Sequence, residues 1–192
     1  MSAMSTRVLA PGDAMVAARR WFLDGRPLDM QSLADELAVG RATLYRVVGS
    51  RDRLLGDVLV SFARPTIAAS LGRARERGTA PGVDRLVDAA KIMNRAVIDF
   101  VPLRTFVAAD PETAFRVLFM PTAGVHLRIV AAWQQVLGDA LACGEIRPTA
   151  DVERLAYLFV RIGESMIHAD LLAGREPDLD LAADLQRSLL LT

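Results

Sequence analysis

Five side chains within residues 41–51 carry the most specific chemistry in this sequence: Arg41, Thr43, Tyr45, Arg46 and Arg51. An arginine can fork onto the edge of a guanine, a threonine or an alanine such as Ala42 suits the thymine methyl, and a tyrosine hydroxyl can reach a phosphate. At helical spacing Leu44, Val47 and Val48 face inward, which puts Arg41, Ala42, Thr43, Tyr45 and Arg46 on the first turns of the outer face. That is the part of a recognition helix that enters a major groove. The plainer alternative is a helical hairpin inside an ordinary bundle, with its arginines merely solvated.

The elements that must position these residues are legible on either side. Asp29 can accept from the free amides of a helix beginning at Met30, on which Leu33, Ala34 and Leu37 share one face. Ala38-Val39-Gly40 then reads as a tight turn, with Val39 plugging the crevice between helices and Gly40 free to take unusual backbone angles. A second helix starts at Arg41 and stops at Gly49, and Ser50 caps a third that begins Arg51-Asp52-Arg53-Leu54. A cation at that start opposes the helix dipole, so Arg51 is expected to lean toward a phosphate. An earlier helix, from about Pro11 to Asp24 and ended by Gly25, has Ala14, Ala18, Trp21 and Phe22 on its inner side and completes a three-helix unit.

Taken together, Leu33-Ala34, Ala38-Val39, Thr43-Leu44-Tyr45 and Ser50-Arg51-Asp52-Arg53-Leu54 stand in a fixed register that resembles the DNA-binding domain of TetR-family transcriptional regulators. Three positions depart from that pattern. Ala38 replaces the usual turn glycine, Gly40 the usual Ser or Thr cap, and Val48 the usual aromatic anchor of the recognition helix. The resemblance implies that Gln31, Arg41, Thr43, Tyr45, Arg46 and Arg51 face DNA, with Gly40 and Ala42 alongside them at the helix start.

Composition sets the outer bounds. The 192 residues are 52% hydrophobic, enough for a small domain plus a larger one, yet no uninterrupted apolar run approaches the ~20 residues that span a bilayer. The start, Met-Ser-Ala-Met-Ser-Thr-Arg, has no apolar signal core, so a cytoplasmic protein with no membrane partner is expected. Cys143 is the only cysteine, which excludes an intrachain disulfide and is expected to be buried as a small apolar side chain. Net charge is zero, but between Arg41 and Arg53 four arginines face the single acid Asp52. A locally basic face therefore suffices for phosphate contact, with weak long-range steering.

Helical spacing dominates the rest of the chain, and an all-α fold of about nine or ten helices is expected. The fourth helix, from Ser50 to about Arg75, should be kinked or split by Pro65, and a turn-rich Gly78-Thr-Ala-Pro-Gly82 follows it. The expected division is residues 1–63 for DNA binding with the start of the linking helix, and 64–192 for effector binding and dimerisation. Further helices are expected over about 83–101, to 109, from 111, 122–142, 150–172 and 179–190. The connector Gly144-Glu-Ile-Arg-Pro148 resembles the one that precedes the last two helices in many TetR-family proteins.

The 150–172 helix is apolar on two faces. Leu155, Leu158, Phe159, Ile162 and Met166 form one stripe, and Val152, Ala156, Val160, Gly163 and Ile167 form another, with small residues that permit close helix approach. One stripe needs a partner outside the subunit core, and the last helix has the same surplus. Two such helices from each of two subunits make a four-helix interface. Val160, Gly163, Ile167, Leu171, Leu185 and Leu189 are the expected dimer residues, in the region where TetR-family dimers form. The alternative is one thick monomeric core.

By the same resemblance, an apolar effector should lie among the middle helices, near Met93, Val97, Phe100, Phe106, Phe115, Phe119, Met120, Trp133, Tyr157 and Arg161. Aromatic and methionine side chains at helical spacing also describe plain core, but their density around Pro102–Pro121 suits an adaptable cavity. Arg161, Glu164 and His168 can share one helix face as an ion-paired stripe that serves either a ligand or the interface. The stretch Gly163-Glu-Ser-Met-Ile-His-Ala-Asp-Leu-Leu-Ala-Gly174 further resembles actinobacterial regulators of quorum-quenching lactonases, which implies an acyl or lactone inducer.

Glu164 with His168, or His126 with Asp139, are the acid-base pairs available to an enzyme. No nucleophile elbow, phosphate loop or metal-ligand cluster accompanies them, so neither catalysis nor a metal or cofactor is expected. The remaining alternative is a helical interaction module or small-molecule-binding protein without DNA binding. The expectation is a homodimeric regulator, a repressor released from a pseudo-palindromic operator by a small apolar effector.

Overall fold

The computed structural model describes residues 9–172 and 175–191, and Pro11, Leu171 and Leu172 through their backbone alone. Among the described residues there are ten helices and no strand: α1 (Pro11–Leu23), α2 (Met30–Glu36), α3 (Arg41–Val48), α4 (Arg51–Glu76), α5 (Val83–Asp99), α6 (Val101–Ala109), α7 (Pro111–Phe119), α8 (Val125–Ala142), α9 (Val152–Leu172) and α10 (Leu179–Leu191). The all-α expectation holds.

These helices form two compact units whose division is not a single cut in the chain. One unit holds the described residues up to Ser61 together with Val101–His126; the other holds Phe62–Phe100 with the described residues from Leu127 onward. The first therefore contains α6 and α7, which the cut expected at residues 63/64 assigned elsewhere. Periodicity cannot foresee such an excursion, because α6 and α7 are as amphipathic as the helices that flank them in sequence.

In the first unit Ala14, Ala18, Trp21 and Phe22 of α1 are buried as expected, with Leu33 and Ala34 of α2 and Leu44 and Val48 of α3. Phe106 of α6 meets Phe22 edge-on, ring centroids 5.8 Å apart. Burying an indole leaves an N–H to satisfy, and Trp21 Nε1 donates to Glu36 Oε2 at 2.9 Å. Glu36 sits at the carboxyl end of α2, where the dipole disfavours an acid, and it draws Arg20 and Arg26 to it. The Arg26 guanidinium also lies 3.4 Å over the Trp21 ring, so one acidic residue pins α2 to α1.

Helix α4 is neither split nor ended by Pro65, which corrects the expectation of a break there as far as continuity goes. The missing proline amide removes the helical donor to the Ser61 carbonyl, the last residue of the first unit. By length and composition α4 is apolar enough to cross a membrane, but its large apolar residues Leu54, Leu55, Val58, Leu59 and Ile67 are core residues. Pro102 likewise lies in the first turn of a helix, α6, where its missing amide costs no helical bond.

In the second unit α10 packs on α5 and α9. Leu86, Val87, Ala90 and Met93 of α5, Leu155, Phe159 and Val160 of α9, and Leu179, Ala182 and Leu190 of α10 are buried there. The two turn-rich connectors meet. Gly82, at φ +92°, donates from its amide to Glu145 Oε2 at 3.3 Å, and a Cβ there would stand 2.7 Å from the Glu145 carbonyl oxygen. Only glycine fits that approach. Cys143 is exposed, contrary to the expected burial, because it follows α8 in a turn.

Candidate nucleic-acid interface

Helix α3 is held from both ends. Upstream, Asp29 Oδ1 accepts from the Ser32 amide at 2.7 Å and caps α2. That bond holds the Asp29 carboxyl below its usual range, aided by other donors and by Arg41. Backbone bonds Ala38 N to Asp35 O, Val39 N to Ala34 O and Leu44 N to Gly40 O close the turn. The left-handed residue of this turn is Ala38, at φ 53°, whereas Gly40 has ordinary extended angles of −70° and 144°. This reverses the expectation for Gly40: the strain sits on the alanine, at a cost of about 1–2 kcal/mol. Downstream, Gly49 takes φ 82° and Ser50 Oγ accepts from the Arg53 amide at 3.1 Å, starting α4.

Leu44 and Val48 are buried and Val47 half-buried, while Gln31, Gly40, Arg41, Ala42 and Arg46 are exposed and Thr43 and Tyr45 half-exposed. Arg41 lies over the Tyr45 ring, 5.4 Å from its centroid, with a terminal nitrogen 3.5 Å from the phenol oxygen. The Tyr45 contact raises the Arg41 guanidinium above its already high value, so that charge is permanent. Gln31 Nε2 donates to Asp35 at 2.8 Å, which orients its side chain along α2. Arg51 is half-buried: its Nε leans back onto the Leu28 carbonyl at 2.8 Å, a contact absent from the sequence reading.

Two supporting groups had also escaped it. Glu36 is the acidic knot described above, and Arg116 of α7 donates from Nε to Asp52 Oδ2 at 2.6 Å, on the first turn of α4. The signal for Glu36 was an acid at a helix carboxyl end. Arg116 carried none, since it lies 64 residues from Asp52.

The ten expected effector residues are divided between the units. Phe106, Phe115, Phe119 and Met120 belong to the first. There Phe106 packs on Phe22, Phe115 and Phe119 stack with centroids 5.3 Å apart, and Phe115 and Met120 are about half exposed. Met93, Val97, Phe100, Trp133, Tyr157 and Arg161 belong to the second. Trp133 stacks on Phe159 at 4.8 Å, Phe100 on Phe62 at 5.1 Å, and Tyr157 is exposed. A cleft of the second unit runs between α5 and α10, but Asp84, Asp88, Lys91, Asp180, Asp184 and Arg187 line it, and none of the ten does. Arg161 and Glu164 lie 3.8 Å apart as an ion pair, and burial lowers the His168 imidazole to about 4.

Of the expected dimer residues, Leu185 and Leu189 are exposed and half-exposed, whereas three others are not available at the subunit surface. Val160, Gly163 and Ile167 are buried within the subunit, Gly163 so closely that a Cβ would stand 3.1 Å from the Asn94 amide. The missing side chain of Gly163 serves the packing of α9 on α5. The outer face of α9 carries Tyr157, Leu158, Ile162 and Met166 instead, with Leu181, Leu185 and Leu189 on α10. Leu171 lies outside the described side chains.

An all-helical chain that presents a capped α2, a tight turn and an α3 with a basic outer face is a helix-turn-helix protein. A family model described as "Tetracyclin repressor-like, C-terminal domain" matches residues 81–191. The chain is 29% identical over 137 residues to the HTH-type transcriptional regulators Rv1816 of Mycobacterium tuberculosis and Mb1846 of Mycobacterium bovis. That stretch is 70% of this chain and 58% of theirs, so the chain spans less than two thirds of the length of the curated relatives it matches. It superimposes with a TM-score of 0.86 and 29% identity on the transcriptional repressor QsdR of R. erythropolis, over 94% of this chain and 93% of that one. The chain belongs to the TetR family of transcriptional regulators.

Proposed function

We propose that this protein is a homodimeric repressor that binds a pseudo-palindromic operator through α2 and α3 and leaves it when a small apolar effector binds the second unit. The observation that carries the DNA-binding half is the sorting of α3: its leucine and last valine are buried, and Arg41, Ala42 and Arg46 stand exposed on the opposite side. Arg41 and Arg46 read base edges or phosphates, Thr43 and Ala42 meet methyl groups, and Tyr45 and the terminal nitrogens of Arg51 reach phosphates. The repressor sense follows QsdR, which is a repressor of this family.

Dimerisation is assigned to the outward residues Leu158, Ile162, Met166, Leu185 and Leu189. One subunit leaves this apolar surplus exposed or half-exposed, and the two-fold pairing of α9 and α10 covers it. The twin sets a second α3 at a fixed spacing on the DNA. An effector that fits the second unit better in the DNA-incompetent arrangement shifts the population away from the operator. An acyl or lactone compound is the class proposed for it, the protein acts in the cytoplasm where its operator lies, and no catalysis is assigned to it.

The test is selection of fragments of the source genome on the immobilised full-length protein at moderate salt, with elution by candidate acyl and lactone compounds. Recovery of a fragment with an inverted repeat, released by one of those compounds, is the expected result. Recovery of random fragments with a steep, sequence-independent salt response would overturn the operator reading.

A further inference from the structure

The first turn of α4 holds two residues of opposite sign. Arg51 is the proposed phosphate contact, and Asp52 beside it would repel the same phosphate. Arg116 answers Asp52 from α7, with Nε donating to Oδ2 at 2.6 Å and a terminal nitrogen donating to Thr113 Oγ1 at 3.1 Å. Its own helix is fixed in turn, because Asp110 Oδ1 accepts from the Thr113 amide at 3.1 Å. On the other side Arg51 Nε donates to the Leu28 carbonyl, at the entry to α2. A continuous set of bonds therefore runs from the start of α7, across the first turn of α4, to the loop that leads into α2. Phe106 on Phe22 and Thr105 beside Gly25 bring α6 against the end of α1. All of these residues lie in the first unit.

We propose that Arg116 is a positioning residue for DNA recognition: by holding Asp52 it fixes the first turn of α4, and with it the direction of Arg51. The α6–α7 excursion is thereby a working part of the DNA-reading unit. A charge-assisted hydrogen bond of this geometry is stronger than a neutral one, and it needs to hold one rotamer rather than contribute much to global stability. The proposal rests on the assignment of Arg51 to a phosphate.

The test uses the full-length dimer and an inverted-repeat fragment recovered from the source genome, with affinity measured across a salt series. Arg116→Gln should weaken binding about fivefold to tenfold, the size of one lost charge-assisted bond, while leaving the slope of log affinity against log salt unchanged. Asp52→Asn should weaken it similarly, although it removes a negative charge beside the DNA backbone, and the double variant should be no worse than either single one. Arg51→Ala should lower the slope by about 0.9, the mark of one lost phosphate contact. Wild-type affinity in Arg116→Gln, tighter binding in Asp52→Asn, or additive losses would overturn the positioning role while a normal Arg51→Ala result keeps the phosphate assignment. A lowered slope in Arg116→Gln would make Arg116 a direct phosphate contact instead, and an Arg51→Ala variant with unchanged slope and affinity would remove both assignments together. Thermal unfolding of each variant separates these outcomes from loss of fold.

Discussion

On α3 the outward residues are arginines, a threonine and a tyrosine, and the inward ones are leucine and valine. On α9 Leu158, Ile162 and Met166 are exposed or half-exposed, while Ala156, Val160, Gly163 and Ile167 join Leu155 and Phe159 inside. The first helix is sorted by polarity; on the second polarity cannot decide, because large apolar residues lie on both faces. Where one face is wet for life, water decides which side faces in. Where both faces are apolar, the inner one is set by how closely the neighbouring helix must approach, and Gly163 against Asn94 is that approach on α9.

The sharpest way to break this contrast is to charge both faces of α9. Val160→Glu places a carboxylate where only 5% of the residue is exposed and is expected to cost about 4 kcal/mol or more, enough to abolish cooperative unfolding. Leu158→Glu, at a position 39% exposed, should keep the helical circular dichroism spectrum and halve the molar mass measured by light scattering. The reverse pattern, with Val160→Glu folded and monomeric and Leu158→Glu dimeric, would restore the small-residue stripe as the interface.

A second expectation concerns charge on α9 itself. Burial depresses the His168 imidazole from 6.5 to about 4 in the folded chain, so the unfolded chain takes up the proton first as pH falls. The stability due to neutral His168 is complete above about pH 6.5 and is lost as pH drops through that value toward 4, about 2 kcal/mol by pH 5. Urea unfolding at pH 7 and pH 5 measures it, and His168→Gln should remove most of the difference. A wild-type stability equal at both pH values would contradict the depressed value.

The smallest effect belongs to the turn that presents α3. Ala38→Gly relieves a left-handed alanine and is expected to stabilise the chain by up to about 1 kcal/mol after the added freedom of the unfolded state is subtracted. Thermal unfolding reads this as a higher Tm, and a lower one would reject the strained turn.

The same contrast accounts for what was legible in the sequence. The α2–turn–α3 unit was readable almost residue by residue, since Asp29, Leu33, Leu44 and Gly49 obey local rules of capping, burial and helix ending. The turn differs from expectation at one point, unusual backbone angles at Ala38 rather than Gly40, because the freedom was assigned to the residue type most able to use it. Long-range partners were not readable: Arg116 reaches Asp52, and Phe106 reaches Phe22, across gaps that no periodicity encodes. The burial of Val160, Gly163 and Ile167 within the subunit was not legible, because such residues spell close packing without saying whose helix is close. The effector residues rest on the family resemblance and on the density of aromatic and methionine side chains, and those residues spread over two compact units.

The central claim is that α3 and the start of α4 read DNA while the apolar faces of α9 and α10 only pair the readers. Fluorescence anisotropy on the recovered operator fragment, comparing wild type with the Tyr45→Ala, Arg51→Ala double variant, tests it most directly when light scattering is run on the same samples. An affinity lowered about 100-fold or more at unchanged molar mass is the expected result, the sum of two lost contacts of ordinary size. Unaltered binding at moderate salt by a dimer lacking both side chains would contradict it.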